Sequence, residues 1–159
     1  MTKITPFLWF DDKAEEATNY YLSIFKNTRM LGLVRNGEGG PGAAGSVMYT
    51  QFDLEGQEFM ALNGGPYFTF SPAISLFVNC ETQAEVDSYW EKLSAGGEKG
   101  QCGWLKDKFG LSWQIVPNGI NDYLHGKDLE GSKRAMDAML KMTKLDLDAL
   151  KKAYLGEPK

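Results

Sequence analysis

The chain has 159 residues, 43% hydrophobic and 24% charged, enough to bury a stable interior without disulfide staples. A formal net charge of −4 supplies no basic field for a phosphate backbone, so no nucleic-acid partner is expected. Two cysteines make no disulfide framework, and no apolar run approaches the roughly 20 residues that cross a bilayer, so no membrane partner is expected.

The opening MTKITPFLWFDD has neither the apolar core nor the small-residue cleavage site of a secretory leader, and a cytoplasmic location is expected. Its apolar run KITPFLWF (3–10) meets Asp11 and Asp12. Asp12 followed by Glu15 has the spacing of a helix cap with an acidic third position. Ala14, Ala17, Tyr21, Ile24 and Phe25 recur at helical spacing, which predicts an amphipathic helix over 13–26. Three strand-like segments follow, TRMLGLVRN, SVMYTQFDLEG and QEFMALN. The glycine-rich stretch 37–45 separates the first two, and Gly56 turns the second pair. The order then restarts. AISLFVN (73–79) reads as a strand, Thr82 and Glu85 form a T-x-x-E capping box, and Val86, Tyr89, Trp90 and Leu93 share a helix face. EKGQC, GWLKD and SWQIVP complete the set, the last two turned by Gly110.

The order β-α-β-β-β thus occurs twice, and residues repeat with it. AEEATNYY (14–21) aligns with QAEVDSYW (83–90), and DLEGQEFMAL (53–62) with DKFGLSWQIV (107–116). The second alignment places Asp53, Gly56 and Phe59 opposite Asp107, Gly110 and Trp113. An internal duplication is predicted, with module 1 over about 3–64 and module 2 over about 72–118 of a domain spanning 1–118. Beyond Pro117 a helical extension over 119–159 is expected to pack on that domain. Ala135, Met136, Met139 and Leu140 share one helical face there, and Leu147, Leu150 and Tyr154 another, with Asp146 and Gly156 as caps of the last helix.

FDLEGQEFMALNGGP, YFTFSPAISLFVNC, GWLKDKFGLSWQIVP and the tail KRAMDAMLKMTKLDLDALKKAY together resemble the vicinal oxygen chelate superfamily of glyoxalases, bleomycin-resistance proteins and extradiol dioxygenases. Within it the likeness is to the PhnB-like branch, often labelled demethylubiquinone methyltransferase-like. The resemblance implies an α+β fold. Its two β-α-β-β-β modules form a curved mixed sheet around a concave cavity, with helices on the convex side and C-terminal helices added. It also implies a homodimer. Metal-dependent members bring four His, Glu or Gln ligands from equivalent strands. Projected here, those positions fall among Ile4, Thr5 and Pro6, at Phe59, at Ala73 and at Gln114. Of these only Gln114 can ligate, and a lone neutral amide is a weak ligand, so no cofactor is expected.

Other motifs carry less chemistry. NGEGGPGAAGS (36–46) lacks the G-K-[ST] ending of a phosphate loop, and no G-x-G-x-x-G opens a helix, which counts against a methyltransferase label. Cys102 has no adjacent base, and His125, the sole histidine, lies beyond the repeat. Strand alternation groups Phe59 and Asn63 with Ser75, Phe77 and Gln114 on the cavity side, with Trp9 and Trp104 at the rim, and sends Trp113 and Ile115 to the helix side. The expected function is metal-independent binding of a small apolar or aromatic molecule, with catalysis open. The alternatives are a non-catalytic sequestering or interaction protein, and a metal-dependent lyase or dioxygenase if the ligand projection is wrong.

Overall fold

The first half of the chain folds as β1 (Phe7–Phe10), α1 (Ala14–Ile24), β2 (Thr28–Arg35), β3 (Val47–Leu54) and β4 (Gln57–Asn63) in the computed structural model, which describes residues 2–158. Its four strands lie in the order β1-β4-β3-β2, with β1 parallel to β4 and the other neighbours antiparallel. Strand alternation sends Leu8, Phe10, Phe52, Leu54, Phe59 and Ala61 to one buried face. That face meets α1, whose Ala14, Ala17, Thr18 and Tyr21 are buried with it. The Tyr21 ring stacks 6.4 Å from Phe52, and Phe52 stacks 5.5 Å from Phe59. Helix and sheet are joined inside this apolar layer by the Thr18 and Thr50 hydroxyls, 2.7 Å apart.

The expected Asp12 cap does not form. The N-cap position is Lys13, and no side chain of its own caps the helix. The Ala14 amide instead donates to Asn63 Oδ1 at 2.8 Å, so a residue brought from the end of β4 does the work of a local cap.

The second half comprises β5 (Ser75–Cys80), α2 (Gln83–Ser94), β6 (Glu98–Lys99), β7 (Trp104–Lys106) and β8 (Ser112–Pro117). Its sheet order, β5-β8-β7-β6, repeats that of the first, again with one parallel pair, β5 with β8. The two modules therefore form two separate four-stranded mixed sheets. Thr82 caps α2 as its sequence predicts, with the Glu85 amide donating to Thr82 Oγ1 at 3.2 Å, while Glu85 Oε2 accepts from the Glu81 amide at 2.8 Å. Val86, Tyr89, Trp90 and Leu93 of α2 are buried, as are Leu105, Trp113 and Ile115 of the sheet.

Three helices follow: α3 (Ile120–Leu124), α4 (Leu129–Met139) and α5 (Leu147–Leu155). The chain divides between Phe70 and Ser71 into two units, so these helices belong with the second repeat. They enclose a small core of Ile120, Leu145 and Leu150, with Val116, Met139 and Met142 packed against it. Gln83 of α2 anchors the segment leading into α5, donating to the Leu145 carbonyl and accepting from the Leu147 amide. Beside it Lys144 Nζ lies 2.7 Å from Asp87. The hydrogen bond from Lys144, aided by one from Gln83, holds the Asp87 carboxyl below its ordinary value. Asp146 and Gly156 cap α5 as expected. Leu140, expected on the buried face, is 58% exposed because α4 ends at Met139 and the chain turns there. No helix among the described residues is long and apolar enough to cross a membrane.

The D-x-x-G turns differ between repeats. Asp53 Oδ1 accepts only from the Gly56 amide within its turn. Asp107 is 2% exposed, and its Oδ1 accepts from the Phe109 and Leu111 amides while its Oδ2 accepts from Trp113 Nε1 at 2.9 Å. Removing that carboxylate strands a buried indole N–H and two amides. Asp107→Ala is expected to cost about 3 kcal/mol in urea unfolding and Asp53→Ala about 1 kcal/mol. Equal losses at the two positions would contradict this assignment.

Candidate functional site

The helix-free face of the second sheet gathers four of the residues that the sequence marks as a site. Gln114 of β8 lies between Phe77 of β5 and Trp104 of β7 as its cross-strand neighbours, and such neighbours share a face. Ser75 sits two residues before Phe77 on the same side, and Gln114 Nε2 donates to its Oγ at 2.9 Å. The intervening Trp113 and Ile115 are committed to the core. Phe77 is 53% exposed, a large ring left in the open beside an amide–hydroxyl pair. Lys106, two residues after Trp104, shares the face by the same alternation.

In the first unit Trp9 lies across from Leu62 on the corresponding face. Its Nε1 donates to the Gly65 carbonyl at 3.0 Å, and Phe68 meets its ring edge-on at 5.0 Å. Position 64 must be glycine for this packing, since a Cβ there would fall 2.3 Å from the indole carbons. Trp9 forms one wall of a cavity of about 660 Å³ at the end of this sheet, which Val47, Leu62 and the Gly64–Gly65 backbone also line.

Two of the expected site residues are placed elsewhere. Phe59 is 6% exposed and stacks on Phe52 in the helix-side core, so it does not line the open face. The reason is a one-residue step of alternation. Phe59 is the repeat partner of Trp113, and both face their helix. The open-face residue of β4 is therefore Met60, the partner of Gln114. Asn63 borders the cavity, but both ends of its amide serve the fold, Oδ1 at Ala14 and Nδ2 at the Val47 carbonyl. The signal for the placement of Phe59 was the repeat alignment itself, which already paired it with a helix-facing tryptophan.

The same register tests the metal site of metal-dependent relatives. Phe7 faces Met60 as Phe77 faces Gln114, so Thr5 corresponds to Ser75. The projected positions Phe59 and Ala73 thus give way to Met60 and Ser75, and with Thr5 and Gln114 the four hold two hydroxyls, a thioether and an amide. Among the described residues no group of three or more His, Cys, Asp or Glu side chains is arranged to hold a metal. This donor set does not fit a catalytic divalent metal, and no step is routed through one.

Neither cysteine joins a site. Cys102 takes a left-handed conformation (φ 56°), its amide donates to the Met142 carbonyl, and its Sγ lies 3.5 Å from the Met139 carbonyl. Cys80 is fully buried, and burial, reinforced by the Glu85 charge, pushes its thiol up to about 11. Alkylation with iodoacetamide at pH 8 is expected to label Cys102 and leave Cys80 unmodified until the chain is unfolded. Peptide mass spectrometry reads the two sites separately, and rapid native labelling of Cys80 would refute its placement.

A family model described as 3-demethylubiquinone-9 3-methyltransferase matches residues 2–116. It stops before the helical extension, so the tail segment counted with the resemblance lies outside the match. Among solved structures, a PhnB protein from Bacillus cereus, described as a 3-demethylubiquinone-9 3-methyltransferase, is 42% identical. The match covers 73% of this chain and 99% of that one, with a TM-score of 0.68. Protein PA1353 from Pseudomonas aeruginosa is 20% identical over 74% of this chain and 98% of its own, with a TM-score of 0.62. FosX, a fosfomycin resistance protein from Listeria monocytogenes solved with Mn(II) and sulfate, is 15% identical over 79% and 98%, with a TM-score of 0.52. These last two show a shared fold alone. No curated protein matches the chain.

Proposed function

Because the chain belongs to the PhnB-like 3-demethylubiquinone-9 3-methyltransferase family of the vicinal oxygen chelate superfamily, we propose that it binds a small apolar or aromatic molecule against the open face of its second sheet, without a metal. The observation that carries this reading is Phe77, half exposed beside the Gln114–Ser75 pair, with Trp104 on the other side of Gln114. An aromatic ligand laid on that ring removes apolar surface from water and gains an aromatic contact, while the amide and hydroxyl orient its polar edge. Among Ser75, Phe77, Trp104, Lys106 and Gln114 the face offers one cation and no carboxylate or imidazole to pair with it, so the proposal stops at binding and favours sequestration over turnover. Methyl transfer is not adopted from the family's name. Two mixed sheets of order β1-β4-β3-β2 and β5-β8-β7-β6 differ from the doubly wound parallel sheet whose glycine-rich turn holds a nucleotide.

The proposal includes a cytoplasmic homodimer. Ile4, Phe7, Tyr67 and Phe68 of the first unit are each more than half exposed, and so much open apolar surface favours association. Light scattering at micromolar concentration is expected to give twice the chain mass, and a strict monomer would refute the dimer.

Native mass spectrometry of freshly purified protein, compared with denatured protein, is expected to release a co-purified small molecule. Phe77→Ala and Trp104→Ala should each lower its retention about tenfold, the effect of losing part of one aromatic contact area. Retention unchanged in both variants, or no retained molecule together with no aromatic fragment binding, would sink the proposal.

A further inference from the structure

An asparagine followed by glycine is open to attack on its own side-chain amide, because glycine has no side chain to shield its backbone nitrogen. The chain holds three such pairs, Asn36–Gly37, Asn63–Gly64 and Asn118–Gly119. Two of them are locked by the fold. Asn36 is 7% exposed, and its Nδ2 donates to Ser46 Oγ at 2.9 Å. The loop closes tightly on this amide, since a Cβ at position 42 would fall 2.6 Å from the same Nδ2. Asn63 is held at both ends, Oδ1 accepting from the Ala14 amide and Nδ2 donating to the Val47 carbonyl. The nitrogen that would attack it is also engaged, because the Gly64 N–H donates to the Phe10 carbonyl at 2.8 Å. Reaction at either asparagine must wait for local opening.

The third pair is free. Asn118 and Gly119 form the exposed turn between β8 and α3. The Asn118 backbone N–H donates to the Cys80 carbonyl at 2.7 Å. Among the described residues, however, its side-chain amide makes no hydrogen bond, and neither does the Gly119 N–H. Gly119 holds φ at 82°, as the N-cap of α3. That left-handed conformation favours glycine, so the turn itself calls for the residue that leaves its nitrogen unshielded.

We propose that Asn118 is a deamidation site, at which water converts the amide to a carboxylate in the joint between the second sheet and the helical extension. The Gly119 nitrogen, having lost its proton to solvent hydroxide, attacks Asn118 Cγ. That N–C bond forms as the Cγ–Nδ2 bond breaks, and ammonia leaves behind a succinimide ring. Water then opens the ring without any oxidant or reductant. Addition at Cγ gives aspartate. Addition at the main-chain carbonyl gives isoaspartate, whose backbone runs through Cβ and is longer by one methylene. Either product places a negative charge close to Asp122, whose Oδ2 lies 3.7 Å from where a Cβ on Gly119 would stand, and like charges repel. The lengthened backbone also shifts Ile120, the first residue of α3 and a member of the extension's small core. The inference is independent of the sheet-face reading, since it uses none of Ser75, Phe77, Trp104 or Gln114.

The test is incubation of the folded full chain at pH 8 in water enriched in oxygen-18, followed by peptide mass spectrometry that separates isoaspartate from aspartate. Peptides containing position 118 are expected to gain an acid carrying heavy oxygen, mostly as isoaspartate. They should do so about tenfold or more faster than peptides containing position 36 or 63, which react only through local opening. In denaturant the three positions should react at similar rates, because only the fold separates them. The Asn118→Gln variant, whose longer side chain cyclises poorly, should keep its amide. The deamidated fraction, separated by anion exchange, should unfold at a lower Tm than the unmodified chain. Amide retained at 118, the same relative rates in folded and denatured chain, or equal acid formation in Asn118→Gln would overturn the proposal. An unchanged Tm of the deamidated fraction would overturn the place given to this turn in holding the extension.

Discussion

Each half of this chain depends on burying one aromatic-rich sheet face beneath a single helix. In the first unit Tyr21, Phe52 and Phe59 form a continuous stack from helix to sheet. In the second, Trp90 and Trp113 are each 2% exposed within the same arrangement of elements. Because side chains alternate along a strand, committing Phe59 and Trp113 to the helix forces Met60 and Gln114 to the other side. The open faces are thus by-products of core packing. With one helix per sheet, each sheet keeps one face that its own helix does not cover.

The two repeats have used this plan differently. Phe59 needs no hydrogen-bond partner, so Asp53 remains a simple turn residue on the edge of its hairpin. Trp113 brings a buried N–H that demands an acceptor, and Asp107 has been drawn into the core to supply it. The open faces diverge in the same way. Where the second unit has the Ser75–Gln114 pair beside exposed Phe77, the first has Thr5 and Met60, and its polar groups lie at the end of the sheet around Trp9. Neither set suits a catalytic metal, so what the duplication retains is shape, an aromatic surface and a few neutral or acidic groups.

Much of the fold was legible along the chain because its signals are local. The Thr82 cap, the buried stripe of α2, the Asp146 cap and the β-α-β-β-β order are short-range patterns that survive in the structure. The failures have tertiary causes. Asp12 looked like a cap, but Asn63, 49 residues from Ala14, took the amide first. The five residues of α3 are too few to show a period. Phe59 was assigned to the wrong face although the repeat alignment implied the right one. The cavity beside Trp9 was not anticipated, since Asp11 and Asp12, which line it, read only as a helix start and 36–46 only as a flexible connection.

By itself the sequence determined the duplication and the mixed α+β class, because element order and repeat register are written in the chain. Only the tertiary structure decided which side of each strand faces its helix, that Asp107 answers Trp113, and that Trp9 packs on Gly64, Gly65 and Phe68. Those are facts about which distant groups come within a few ångströms of one another. No local propensity encodes them, because the competition for each amide, indole and carboxylate is settled only when the sheet and helix close.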